Sequence, residues 1–125
     1  SAQVLRHSAR VLGNAMRTFR GKAQLEERVY VFKLDLEKGA YSVELPSESS
    51  SAAAPEIARA GQLGSGVSFK EVRVGGEVAK TPCLLTLHPR GVMPETKIAL
   101  QNEAGDEVVV TFGTLLNDVS YAETH

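Results

Sequence analysis

The stretch QVLRHSARVLGNAMRTFR, residues 3–20, decides the fold because its apolar residues recur with the period of an α-helix. The recurring positions, which extend a few residues further, are Leu5, Ala9, Leu12, Met16, Phe19 and Ala23. At 100° per residue they fall within an arc of about 80°. The pattern predicts a long amphipathic helix over residues 1–28 that packs against its own domain through Leu5, Ala9, Leu12, Met16 and Phe19.

A second set of helix positions is basic. Arg6, Arg10, Arg17 and Arg20 are predicted to form a ridge beside the apolar stripe. Residues 1–28 contain six Lys or Arg against two Glu, whereas the remainder contains eight against thirteen acidic residues, so the net charge of −1 conceals a basic helix on a mildly acidic body. The ridge is a candidate contact for neighbouring subunits, lipid head groups or phosphates, and a solvated face is the alternative.

Beyond residue 28 the apolar period changes from helical spacing to two. Residues 29–45, VYVFKLDLEKGAYSVEL, predict a β-hairpin with one buried face. Further strands are predicted within residues 66–76, 83–91, 97–113 and 115–123. Residues 46–56, PSESSSAAAPE, predict a mobile surface loop, and Pro55 is expected to open a short helical turn that ends at Gly61.

These elements predict one α+β domain over residues 1–125, with a long N-terminal helix packed against antiparallel sheet of about six strands. The β-rich part covers residues 29–125. The single cysteine, Cys83, excludes an intramolecular disulfide. No apolar run reaches the roughly 20 residues that a membrane-spanning helix needs.

The sequence contains no pattern typical of a catalytic, cofactor or metal site. Its three histidines, His7, His88 and His125, do not cluster with Cys83 as zinc ligands do. The GSG at residues 64–66 is not followed by the third glycine or the helix of a phosphate-binding loop. We therefore predict no catalytic residue, no cofactor and no metal.

Three carboxylates of the hairpin are the remaining candidates for chemistry. Asp35 and Glu37 point to the same side of the first strand, and Glu44 follows on the second. Paired carboxylates act in acid–base catalysis, but on a strand with a clean apolar face they also form its solvated side. An enzyme built on them stays open as an alternative class.

The helix, the hairpin, GVSFKEVRV, LTLHPRG and IALQNEAGDEVVVTFGTLL together resemble the H-type minor pseudopilins of type II secretion systems. Minor pilins of the FimT type belong to the same broad family. The resemblance implies a pilin-like fold in which this helix is the C-terminal half of a longer one, preceded by a hydrophobic segment. It places the glycine of the closing strand near Gly113.

The function implied by this resemblance is structural. Such a chain is a subunit of a pseudopilus that helps export proteins across the outer membrane, with other pseudopilins or pilins as its partners. Its soluble domain lies in the periplasm of a protein anchored in the inner membrane. The alternative is a DNA-binding minor type IV pilin of a DNA-uptake or pilus-assembly system, which contacts nucleic acid through the basic ridge or exposed loops.

Overall fold

The computed structural model describes residues 1–46, 54–115 and 118–124. Within these ranges one helix precedes nine strands. Their bounds are α1 (Ala2–Glu26), β1 (Tyr30–Asp35), β2 (Ala40–Leu45), β3 (Glu56–Gln62), β4 (Ser68–Val74), β5 (Glu77–Val78), β6 (Cys83–Leu87), β7 (Thr96–Gln101), β8 (Glu107–Phe112) and β9 (Val119–Thr124).

Local capping defines both ends of α1. At the start, the backbone N–H of Val4 donates to the side-chain oxygen of Ser1 at 3.3 Å. At the end, Glu27 adopts a left-handed conformation with φ 54°, and its N–H donates to the carbonyl of Ala23. The helix therefore ends at Glu26, two residues before the predicted limit.

The strands form two antiparallel sheets. The first has the order β3-β2-β1-β6, and the second has the order β5-β4-β7-β8-β9. The predicted hairpins are present, since β1 pairs with β2 and β7 pairs with β8. The Ala-Gly-Asp turn joins β7 and β8, and Gly105 in this turn has a φ of 89° that favours glycine.

Helix α1 is the core element that the two sheets share. It packs against β1 and β6 of the first sheet and against β7, β8 and β9 of the second. The strands facing it alternate buried and less buried residues, as in Cys83–Leu87 and Thr96–Gln101. This arrangement confirms the predicted α+β class and the helix packed on antiparallel sheet.

Two details of the predicted layout are wrong. The segment from Pro55 to Gly61 is not a helical turn, because Glu56–Gln62 pairs with β2 as an edge strand. Within the described residues the strands number nine and not about six, and β3 and the two-residue β5 are the strands that no pattern in the sequence predicts. Of the predicted loop at 46–56, residues 47–53 lie outside the described residues and Glu56 belongs to β3.

Candidate functional site

The apolar stripe of α1 is enclosed by the protein itself. Its five predicted packing residues, Leu5, Ala9, Leu12, Met16 and Phe19, are each at most 3% exposed and belong to the core. Because both sheets contact the helix, these side chains are covered from two directions. The surface of α1 that another molecule could reach is therefore restricted to the opposite side.

Arg20 does not belong to the basic ridge, which corrects the prediction that it faces a neighbouring subunit or lipid. The residue is 2% exposed. Its Nη2 donates to the carbonyl of Gly91 at 2.7 Å and to that of Thr114 at 3.4 Å, and its Nη1 donates to the carbonyl of Gly113 at 3.2 Å. The guanidinium fork is instead an internal clamp between the loops that follow β6 and β8.

The charge of Arg20 is compensated incompletely inside the domain. Burial lowers the pKa of the guanidinium from its usual value, and the negative charge of Asp118 raises it. Arginine nevertheless stays protonated at neutral pH, so the three carbonyls receive charge-assisted hydrogen bonds. Because the buried guanidinium must keep these acceptors, it fixes the positions of the loops after β6 and β8 relative to the helix.

Arg6 and Arg10 lie at the surface but already have partners on the last strand. The Nε of Arg6 is 2.6 Å from a carboxylate oxygen of Glu123, in a pair whose side chains are 50% and 37% exposed. The guanidinium carbon of Arg10 lies 4.8 Å from the centre of the Tyr121 ring. Both arginines thus hold β9 against the helix and still present part of their surface to solvent.

Gly13 allows the close approach of β9 to α1. A Cβ atom built on Gly13 would overlap the hydroxyl of Tyr121, with the ring carbon Cζ only 2.9 Å away. The tyrosine therefore occupies the space that any side chain at position 13 would need. Gly21 has no such constraint, because a Cβ atom there would meet nothing within 4 Å.

We expect opposite effects from the same substitution at these two glycines. Gly21→Ala should raise the free energy of unfolding by about 0.5–1 kcal/mol because alanine favours the helix. Gly13→Ala should lower it despite the same gain in propensity, because Tyr121 must move. Urea unfolding of both variants checks this, and Tyr121→Ala should remove the difference between the two sites. Equal stabilisation at both positions would contradict the observed packing.

Ser8 anchors a loop whose contact with the helix was not predicted. Its hydroxyl accepts the backbone N–H of Gly64 at 2.9 Å, and a Cβ on Gly64 would come within 2.5 Å of Val4. The turn at residues 64–66 thus docks directly on α1. A buried serine at a core-facing helical position is the signal that indicates such a partner.

The outward side of α1 is left with few cations. Arg17 is exposed and has no ion pair or hydrogen bond to the described residues. Lys22 is exposed, and its amine lies 5.7 Å from the centre of the Phe19 ring. His7 is exposed as well. Among the described residues, the most exposed large apolar side chain is Leu25, which is 85% exposed near the end of the same helix.

The hairpin carboxylates do not converge on one site. One oxygen of Asp35 accepts the backbone N–H groups of Glu37 and Lys38, as in an ordinary turn. Asp35 and Glu44 line two different depressions of the first sheet, and Glu44 pairs in register with Val31, four residues from Asp35. This geometry is not that of a paired acid and base.

The cysteine and histidines also lie apart. Cys83 is buried, and burial raises the pKa of its thiol, whereas His88 is exposed at the end of β6. His125 lies outside the described residues. Across residues 1–46, 54–115 and 118–124, no group of three or more potential metal ligands is present. In the same ranges no helix combines the length and hydropathy required to span a membrane.

Comparison with known proteins identifies the fold. No family model matches the sequence, and no curated protein matches it either. Among solved structures, the chain is similar to the minor pseudopilin EpsH from the type 2 secretion system of Vibrio cholerae. The TM-score is 0.69 over 96% of this chain and 95% of EpsH, at 11% sequence identity. The long helix packed across two antiparallel sheets is thus a pilin-like fold, which this chain shares with EpsH.

Proposed function

We propose that this chain is the periplasmic domain of a minor pseudopilin, a structural subunit of a type II secretion pseudopilus that assists protein export across the outer membrane. The observation that carries the proposal is the helix that is buried along one side by both sheets and open along the other. This two-sided helix lies within a fold shared with EpsH over nearly the whole chain. A fibre subunit needs such a helix, because one side must hold its own domain while the other meets neighbours.

The partner-facing surface in this proposal is the outward side of α1. It includes Arg17 together with the exposed parts of Arg6 and Arg10, and no acidic residue precedes Glu26 on the helix. Acidic patches of neighbouring subunits or anionic lipid head groups would match this charge. The role is non-enzymatic, which agrees with the separation of the hairpin carboxylates.

Membrane anchorage is part of the same proposal. By analogy with pseudopilins, a hydrophobic segment ahead of the helix would hold the native protein in the inner membrane before assembly. Mass spectrometry of the protein isolated from membranes of its native host would identify that segment. Recovery from the soluble fraction with a different upstream domain would contradict the anchoring.

Gene deletion in the native host tests the function. We expect type II substrates to accumulate in the periplasm, with secretion restored by the intact gene. Arg17→Glu should restore secretion less well than the matched control Arg73→Glu, whose arginine lies on β4 and is paired with Glu71. Normal secretion after deletion, with loss of pili or DNA uptake, would overturn the proposal.

The DNA-binding alternative has less support from the geometry. An extended basic track favours phosphate contacts, but Arg20 is buried, and Arg6 and Arg10 are engaged by β9. A fluorescence anisotropy titration with duplex DNA at low and moderate salt separates the two functions. Affinity that falls steeply with salt would favour the DNA-binding pilin.

A further inference from the structure

We propose that this chain associates with itself head to tail, with Leu25 of one copy docked in an apolar groove on the first sheet of a second copy. The inference goes beyond the proposed function, which requires only that α1 meets some other subunit. It joins the most exposed apolar side chain of the helix to a groove on a different face of the domain.

The groove lies on the face of the first sheet that points away from α1. It has a volume of about 340 Å³ and is lined by Val31, Glu44, Pro46, Pro55 and Leu84. Val31 and Glu44 are directly opposite each other in the β1–β2 register and so share this outer face. Leu84 on the edge strand β6 is 58% exposed. Of the five described residues that line the groove, four are apolar, which suits an aliphatic side chain.

The negative charge of Glu44 indicates which aliphatic side chain the groove binds. Among the described residues that line the groove, Glu44 is the charged one, and it makes no ion pair within the part of the chain that the structure describes. An incoming apolar group should therefore be accompanied by a cation. Leu25 meets this requirement, because Lys22 lies one helical turn before it.

The surroundings of Leu25 favour its insertion. Gly21, one turn before Leu25, leaves open space beside it because a Cβ there would meet nothing within 4 Å. The adjacent carboxylate of Glu26 accepts the hydroxyl of Tyr30 at 2.6 Å and is thus held by its own chain. The C-terminal end of α1 can therefore approach the groove with Leu25 and Lys22 facing it.

The two complementary surfaces imply an open assembly. Leu25 lies on the outward side of α1, whereas the groove lies on the outer face of a sheet whose inner face packs on α1. A contact between different patches leaves one free leucine and one free groove at the ends of every complex. Such heterologous contacts form chains unless the rotation between copies closes a ring.

Sedimentation velocity of the domain tests this proposal. The contact is small, so we expect reversible association detectable only at roughly 0.1–1 mM. Leu25→Glu and Leu84→Glu should each weaken it by about tenfold or more, an effect that corresponds to loss of one buried aliphatic contact. Val78→Glu is the matched control, because Val78 is 56% exposed on β5 of the other sheet. Circular dichroism should show all three variants folded.

A mixing experiment identifies the pairing. Leu25→Glu keeps an intact groove and Leu84→Glu keeps an intact leucine, so their mixture should form a heterodimer that does not grow further. Glu44→Lys alone should weaken association, and Lys22→Glu in the same chain should restore it.

The following outcomes would overturn the inference. They are a monomer throughout the concentration range, sensitivity to Leu84→Glu without sensitivity to Leu25→Glu, or a mixture with no heterodimer. None of them bears on the secretion phenotype of the gene deletion, so a failure here leaves the proposed function to its own test.

Discussion

Arg20→Met should lower the free energy of unfolding by about 3 kcal/mol, one of the two largest effects we expect from a single substitution. Methionine keeps an unbranched apolar stem but ends short of the guanidinium and donates no hydrogen bond, so the carbonyls of Gly91, Gly113 and Thr114 would lose a charged donor. The loss is reduced because the desolvation of the buried cation is also removed. The remaining penalty comes from acceptors left facing an apolar side chain.

Guanidinium-chloride unfolding measures this effect, with Arg17→Met as the control. Arg17 lies on the same helix but is exposed, so its substitution should change the free energy of unfolding by less than about 0.5 kcal/mol. Hydrogen exchange should also accelerate in the loops after β6 and β8 of the Arg20 variant. A variant as stable as the wild type, with unchanged exchange, would show that Arg20 does not hold these loops.

Leu12→Ala should lower the free energy of unfolding by about 2–5 kcal/mol. Leu12 is 0% exposed in the middle of a helix that both sheets cover. Backbone hydrogen bonds join the strands within each sheet, so the sheets cannot collapse readily into the space that the leucine leaves. A cavity therefore adds to the lost transfer energy.

The matched control for Leu12 is Leu25→Ala on the same helix. Leu25 is 85% exposed, and its truncation should change the free energy of unfolding by less than about 0.5 kcal/mol. Denaturant unfolding at a single low protein concentration compares the two variants without self-association. Similar losses at both positions would mean that α1 is not packed as described.

The inward side of the helix could be predicted because burial on one side imposes a period that the sequence displays directly. The hairpin could be predicted for the same reason with a period of two. In contrast, β3 is exposed along nearly its whole length, so Glu56–Gln62 shows no alternation of buried and exposed residues that would predict its pairing with β2.

The charge of Arg20 predicts exposure, whereas its position on the helix predicts burial. On an ideal helix Arg20 lies about 20° from Ala9 of the apolar stripe, whereas Arg6, Arg10 and Arg17 lie within about 40° of one another further round. The separation of about 20° from Ala9 places Arg20 at the edge of the buried stripe. The acceptors did not appear in the sequence, since they are backbone carbonyls of loops that only the tertiary fold brings to position 20.

The attachment of β9 to α1 also constrains the order in which the domain can form. Arg6 and Glu123 are 117 positions apart in the sequence, and Tyr121 of the same strand, β9, packs against Gly13. Along the chain α1 precedes every described strand, but this part of its surface stays uncovered until β9 docks against it. Contacts between such distant positions slow folding and leave partly covered intermediates exposed to aggregation. Among the described elements, α1 is therefore the first in the chain and among the last to be fully enclosed.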